Sequence, residues 1–221
     1  MWTVSLHESN LNQADHHAPL RRREGDNKRS CVECEVKRWI EKGLSRNKTV
    51  LTIPLFGVAW KLPSETDLTN LPVKADGYFP YQFKDEKKVW PGWVPYHEIC
   101  NSKNSWKVLK EADQTMGPYA LRETNPRIWV GYDDPAMAVI KSNYILSEGL
   151  GGAAVYDLVM EDTDGVCGGG TNPIVTAISK TLNSLKSSLT SSSTTIKSAV
   201  IMNLIIGVIV ALANTMNLKE L

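Results

Sequence analysis

The chain has 221 residues, 22% of them charged, and its 25 Lys and Arg nearly cancel its 24 Asp and Glu to leave a net charge of +1. That length holds one medium domain or one and a half and falls short of a complete (β/α)8 barrel with an insertion, which needs about 250 residues. Without a long-range field, nucleic acid and acidic lipid surfaces are excluded as partners attracted by charge.

The N-terminus, MWTVSLHESN, lacks the basic and then apolar build of a signal peptide. Trp2 to Leu6 reads as a short apolar strand, followed by a polar loop over 7–27. Within and just after that loop, Arg21, Arg22, Arg23, Lys28 and Arg29 are balanced by Glu24 and Asp26, as on a solvated surface. His7, His16 and His17 lack a third ligand at helical or hairpin spacing, so no metal site is read there. No cofactor motif occurs. Ser30 is placed to cap a helix over Cys31 to Lys42, whose apolar Val32, Val36, Trp39 and Ile40 share one face, with Gly43 as its stop. Helical geometry points Cys31 and Cys34 of the CVEC stretch to one side. Without flanking ligands or a second pair they read as two free helix thiols. Asn47 opens an Asn-Lys-Thr glycosylation triplet. Thr49 to Leu55 is then a buried strand, completing a parallel strand–helix–strand unit.

From Pro63 to Asp134 the character changes. Prolines at 63, 72, 80, 91, 95, 118 and 126 separate short aromatic strands such as Tyr78 to Phe83, the composition of an α+β lobe. Asp134 and Pro135 then open a helix carrying Met137, Ile140 and Tyr144 on one face, and Gly149 closes it. Ala153, Ala154 and Val155 run without alternation, as a strand covered on both faces does. Glu161, Asp162 and Asp164 mark its solvent-facing end. Asn172 and Pro173 begin a closing helix buried through Ile174, Ala177, Ile178 and Leu182. Ser184 to Thr195 reads as a Ser/Thr-rich linker. Residues 198–218 are uncharged between Lys197 and Lys219, and as a helix they would extend about 31 Å, enough to cross a bilayer core. They are read as a candidate transmembrane helix. An aggregation-prone tail is the alternative, and the polar NLKEL ending argues against a glycolipid-anchor signal.

These stretches resemble family 18 glycoside hydrolases, the chitinases and chitinase-like lectins. GLGGAAVYDL, with its acidic turn and Cys167, is similar to the last barrel strand of that family. TVSLHES and ADHHAPL resemble the sixth strand and the loop after it, and VLTIPLFGVAWKL the seventh. PGWVPYHEIC and PRIWVGYDDP resemble strands of the chitinase insertion domain. NLNQADHHAPL, GVAWKL and YHEIC read closest to the imaginal disc growth factors, secreted non-catalytic members. The implied fold is α/β: a C-terminal fragment of a (β/α)8 TIM barrel, about strands six to eight, with an inserted α+β domain. Its divisions are 1–62 (barrel), 63–133 (insertion), 134–182 (barrel), 183–197 (linker) and 198–218 (candidate membrane helix).

The family's reaction needs a Glu at the end of the fourth strand, and no such motif occurs here. By the same resemblance, Val4 and Ser5 replace a Tyr-Asp pair, Phe56 and Val58 replace a Tyr and an Arg, and Tyr156 replaces the Trp that floors the sugar site. The expectation is therefore a non-enzyme that is secreted or held at the cell surface. Its role is growth-factor-like or glycan-binding, and its partners are chitin, N-acetylglucosamine oligosaccharides or a cell-surface receptor. The alternative is a degraded or partial chitinase without independent activity. Trp60, Trp90, Trp93 and Tyr156 are candidate sugar platforms, with Asp157 beside them, and packing is the competing use of such rings. Asp157, Glu161 and Asp162 read as a solvated acidic turn rather than an acid/base pair. The resemblance pairs Cys100 with Cys167, a bridge worth roughly 4 kcal/mol in the chain-entropy model. A barrel remnant of this kind is expected to carry open strand edges and to associate.

Overall fold

The computed structural model describes residues 1–6, 11–26, 30–68, 70–82, 89–110, 113 and 115–191, with the side chains of 89, 90, 110 and 185–191 outside the description. The candidate membrane segment 198–218 and residues 192–197 of the expected linker lie outside the described residues. Among those described, no helix is long and apolar enough to cross a membrane.

In chain order the elements are β1 (Gln13–Ala14), α1 (Val32–Glu41), β2 (Val50–Pro54), β3 (Phe56–Leu62), β4 (Val73–Lys74), β5 (Pro80–Gln82), β6 (Val89–Pro91) and β7 (Trp93–Pro95). There follow α2 (Tyr96–Cys100), β8 (Lys107–Lys110), β9 (Tyr119–Arg122), β10 (Arg127–Gly131), α3 (Pro135–Ser147), β11 (Gly152–Tyr156) and α4 (Pro173–Ser191). Among the described residues the strands form four sheets: the two-stranded β1–β4 and β5–β6 pairs and two that frame the fold. In one, β2 and β11 pair in parallel, Gly152 opposite Val50 through Tyr156 opposite Pro54, with α3 and α4 packed against them and against each other. In the other, a five-stranded sheet runs in the order β7-β3-β10-β9-β8. Its centre is the antiparallel β3–β10 ladder, where Trp60 faces Trp129.

The N-terminal segment lies along the other side of β2. The Met1 ammonium donates to the Val50 carbonyl (2.6 Å), and the Thr52 amide donates back to Met1 (3.2 Å). The Thr3 hydroxyl adds a bond to the Thr52 carbonyl (2.6 Å). The strand expected over Trp2 to Leu6 does not form, because the chain turns at Ser5, whose φ is 59°. Residues 56–62 also differ from expectation. They belong to the antiparallel sheet with β10 and β7, so the change of sheet falls at Leu55 and not at residue 62. The last bond of the parallel pair is donated by Leu55, whose amide reaches the Tyr156 carbonyl (2.8 Å).

Helix ends follow their caps, with one substitution. Asp134 accepts from the Met137 amide (2.7 Å) at the head of α3, as its position before Pro135 predicts. At α1 the cap is Cys31 rather than Ser30: the Cys34 amide donates to the Cys31 sulfur (3.0 Å). At the far end, α4 continues to Ser191 through the first residues of the expected linker. Hydroxyls there turn back onto helix carbonyls, Thr181 to Ala177 (2.9 Å) and Ser184 to Thr181 (2.7 Å), which lets Ser and Thr remain helical.

Candidate functional site: an aromatic ledge at the ends of the parallel strands

Three strands converge where β2 ends. The Leu55 amide donates to the Tyr156 carbonyl (2.8 Å) and the Tyr96 amide to the Leu55 carbonyl (3.1 Å), so the tip of β11 and the start of α2 are tied to one residue. Phe56 follows immediately, and β7 brings Trp93 opposite Val58 on β3. Phe56 stacks on Trp93 with ring centres 4.6 Å apart. Trp93 meets Tyr156 edge-on at 5.9 Å, and Trp2 meets Tyr156 edge-on at 4.9 Å. Phe56 is fully buried, Trp93 and Tyr156 are half-buried, and Trp2 is 53% exposed. The result is a ledge of aromatic rings with apolar support beneath and water above.

His17 supports the ledge from below. Its ring lies 5.0 Å from Phe56, and Nε2 faces the Phe56 carbonyl at 3.2 Å. A carbonyl can only accept, so Nε2 carries the proton and Nδ1 accepts from the Ser5 amide (3.4 Å). The histidine is thus a neutral brace between the N-terminal segment and β3.

The structure brings together only part of the expected sugar-contacting set. Trp93 and Tyr156 meet, with Asp157 adjacent. The Asp157 carboxylate accepts from the Val159 amide (2.8 Å) and caps the short turn Leu158–Met160. Trp60 does not join them: it has no exposed surface and packs inside the lobe against Tyr78 (5.4 Å) and Trp129 (5.7 Å). A sugar cannot reach it. The backbone of Trp90 pairs with Tyr81 on the small β5–β6 hairpin. Sequence reasoning did not assign Trp2 to the ledge. Its contact with Tyr156 depends on the N-terminal segment lying beside β2, which only long-range hydrogen bonds establish. Asn47 is exposed in the turn Arg46–Lys48.

The acidic turn is not solvated. Glu161 and Asp162 are buried and hold backbone amides: Glu161 takes those of Ile174 (3.0 Å) and Val175 (3.2 Å) at the head of α4. Asp162 takes those of Val166 (2.8 Å) and Cys167 (2.9 Å). Burial pushes the Glu161 carboxyl above its ordinary range, and the two helix amides oppose that shift. Asp164 alone of the three faces solvent. These carboxylates are spent on backbone, so the sequence reading of a solvated turn is corrected to a buried cap.

Both cysteine pairs are bonded. Cys100 and Cys167 join α2 to the glycine-rich loop, with Cα atoms 5.3 Å apart. Asp162 lies beside them, but with both sulfurs in the bridge no metal ligand set remains. Cys31 and Cys34 are also bonded, with Cα atoms 5.1 Å apart. The expectation of two free thiols is overturned: at the N-cap the backbone is extended (φ −143°, ψ 155°), and this brings the first sulfur over the first turn.

A sequence model of the family described as Glycosyl hydrolases family 18 matches residues 2–161. The chain is 32% identical over 190 residues to chitinase-like protein Idgf2 of Drosophila melanogaster, a match covering 76% of this chain and 42% of that protein. It is 35% identical over 153 residues to probable chitinase 10 of the same fly, covering 68% of this chain and 6% of that protein. Among solved structures, human YKL-39, titled a pseudo-chitinase with retained chitooligosaccharide binding, superposes with a TM-score of 0.69 at 28% identity, over 83% of this chain and 50% of that one. Catalytic domain 2 of the Ostrinia furnacalis Group II chitinase superposes with a TM-score of 0.68 at 29% identity, over 82% of this chain and 46% of that one. The chain therefore spans about half the length of these solved structures and less of the curated relatives. With the parallel β2–β11 pair, the five-stranded antiparallel sheet and the match over most of its length, the chain belongs to glycoside hydrolase family 18.

Proposed function

We propose that this chain is a non-catalytic chitinase-like protein that holds a chitooligosaccharide on the ledge formed by Trp2, Trp93 and Tyr156. The observation that carries this reading is the chemistry around the ledge. Val4, Phe56 and Val58 are apolar and buried at positions where the family resemblance places polar groups. The rings of Trp2, Trp93 and Tyr156, by contrast, keep exposed surface. Pyranose C–H faces stack on such rings, and Asp157 offers a carboxylate oxygen for a sugar hydroxyl. No residue in this arrangement is poised to protonate a glycosidic oxygen, because Asp157, Glu161 and Asp162 are held by backbone amides. The relative YKL-39, a pseudo-chitinase that binds chitooligosaccharides, supports the combination of binding without turnover.

The two disulfides suit an oxidising compartment, so the protein acts outside the cell. On this reading the working division places residues 56–133 in the insertion lobe and the flanking residues up to Leu182 in the barrel portion. The test is a titration of the protein with N-acetylglucosamine pentamer followed by tryptophan fluorescence, beside a turnover assay with a fluorogenic chitooligosaccharide. Saturable quenching without turnover is expected, weakened roughly tenfold in Trp93→Ala through loss of a stacking face. Turnover above a denatured control, or quenching unaffected by Trp93→Ala, overturns it.

A further inference from the structure

The Cys31–Cys34 bridge is absorbed neither by the ledge nor by the fold. Its sequence separation is 3, against 67 for Cys100–Cys167, so it closes a loop too short to constrain the unfolded chain strongly. Its setting is chemical. It sits at the head of α1, a helix of 10 residues, and the two sulfurs occupy different environments. Cys31 is fully buried and its sulfur accepts the Cys34 amide at 3.0 Å. Cys34 is half-buried at the surface. The neighbouring first-turn amides are already satisfied: Val32 donates to Pro19 and Glu33 to Leu20, both at 2.9 Å, and Glu35 to the Cys31 carbonyl at 3.1 Å. The sulfur thus receives the Cys34 donor and the positive end of the helix, both of which favour a thiolate. Glu33 and Glu35 oppose that field, but Lys37 pairs with Glu33 at 3.2 Å and Arg38 pairs with Glu35.

We propose that Cys31–Cys34 is a thiol–disulfide exchange site, opened by small thiols such as glutathione while the fold stays intact. A donor thiolate attacks the Cys34 sulfur, the accessible one. The bond between the two protein sulfurs breaks, and its electron pair leaves on Cys31 as a thiolate held by the Cys34 amide. A leaving thiolate that accepts an amide hydrogen bond at a helix head departs more readily, which accelerates exchange and stabilises the reduced form. A second donor thiolate then attacks the donor sulfur of the mixed disulfide and frees Cys34. The protein gains two electrons and ends with both cysteines reduced, Cys34 taking a solvent proton and Cys31 remaining a thiolate, while two donor thiols become one disulfide. Because a cysteine sulfur caps α1 in the oxidised state and remains in place as a thiolate, the helix keeps its cap.

The experiment equilibrates the full-length protein in glutathione buffers stepped from oxidised to reduced, quenches with acid, and alkylates. Peptide mass spectrometry then reads each bridge separately, with circular dichroism run in parallel. Cys31–Cys34 is expected to open in buffers where Cys100–Cys167 stays closed and the spectrum is unchanged, its midpoint lying at a ratio more oxidising by about tenfold or more. With oxidised glutathione, Cys31→Ser is expected to take up the adduct on Cys34 about tenfold faster than Cys34→Ser takes it up on Cys31. Opening of both bridges together, a requirement for denaturant, or equal adduct rates at the two cysteines overturns the proposal. The wild-type titration stands even where a variant fails to fold.

Discussion

The inserted sheet and the parallel pair come from one chain and solve burial differently. In β3, six of seven positions are buried, and Trp60 and Trp129 face each other across the β3–β10 ladder with no exposed surface. In β11 none of the five positions is fully buried and Ala154 is exposed. The lobe is antiparallel and folds back on itself, so neighbouring segments supply its covering layers. A parallel pair expects cover on both faces and partners on both edges, all of it remote in sequence. Among the described residues, β11 hydrogen-bonds to β2 alone. Local completeness lets the antiparallel sheet hold a dense aromatic core, while the parallel pair leans on helices α3 and α4.

The contrast can be broken most directly at its densest point. Trp129→Ala should destabilise by about 3–5 kcal/mol, read by urea unfolding, whereas Val155→Ala on the half-buried β11 should lose about 1 kcal/mol or less. Equal losses would mean that β11 is packed as tightly as the lobe. Where the antiparallel sheet meets α3 the contact is ionic: Asp133, just after β10, and Lys141 on α3 form a buried pair. Lys141→Met alone should destabilise by about 3 kcal/mol or more by leaving a buried carboxylate unpaired, and adding Asp133→Asn should restore most of it. A smaller loss is expected in the lobe at Gly57, where an added Cβ would lie 2.6 Å from Val130 and 2.7 Å from Ile99. Gly57→Ala should destabilise by about 1–3 kcal/mol through overpacking.

Acidity sharpens the comparison further. Burial raises the Asp133 carboxyl from 3.8 to about 6, against the opposing pull of Lys141. Between those values the folded state binds more protons at this site than the unfolded state. Its contribution to stability is therefore full below pH 3.8 and is lost as the pH rises to about 6. Melting temperatures across that window should show this falling component in the wild type and a flatter profile in Asp133→Asn; Glu161, also raised, adds a slope of the same sign to both. An unchanged profile would show that Lys141 keeps the carboxylate ionised throughout. The smallest effect on stability is expected at the open edge. Ala154→Lys should change the unfolding free energy by no more than about 0.5 kcal/mol and reduce self-association in sizing chromatography, because a charge on an exposed strand opposes edge-to-edge pairing.

Much of the fold was legible from local chemistry. Asp134 followed by Pro135 announces the head of α3, and the Ala153–Val155 run announces β11, because caps and strand periods are properties of adjacent residues. Tyr156 and Trp93 could be named as ledge candidates from the family resemblance. Trp60 was named with them and belongs elsewhere, since a Trp in a strand does not disclose which sheet will claim it. The strand end at Leu55 was legible, but not the sheet that residues 56–62 would join, for the same reason: VLTIPLFGVAWKL is one apolar run, and the partner strands alone assign its second half. The Cys31 cap was missed because sulfur is a weak cap by propensity, and its role depends on an extended backbone at residue 31.

By itself, then, the sequence determined the family, the helix-and-strand alternation and the pairing of Cys100 with Cys167 that the family motif implies. Those rest on local patterns and on motifs whose residues are neighbours in the chain. The tertiary structure decided which aromatics meet: Trp2 reaches Tyr156 because Met1 and Thr3 bond along β2, 49 residues away in sequence. It also decided that Glu161 and Asp162 are buried caps, since the amides they hold belong to residues 166–175 on a later loop and helix. A carboxylate written in a turn looks solvated until the chain returns to cover it, and that return is set by packing rather than by the residues beside it.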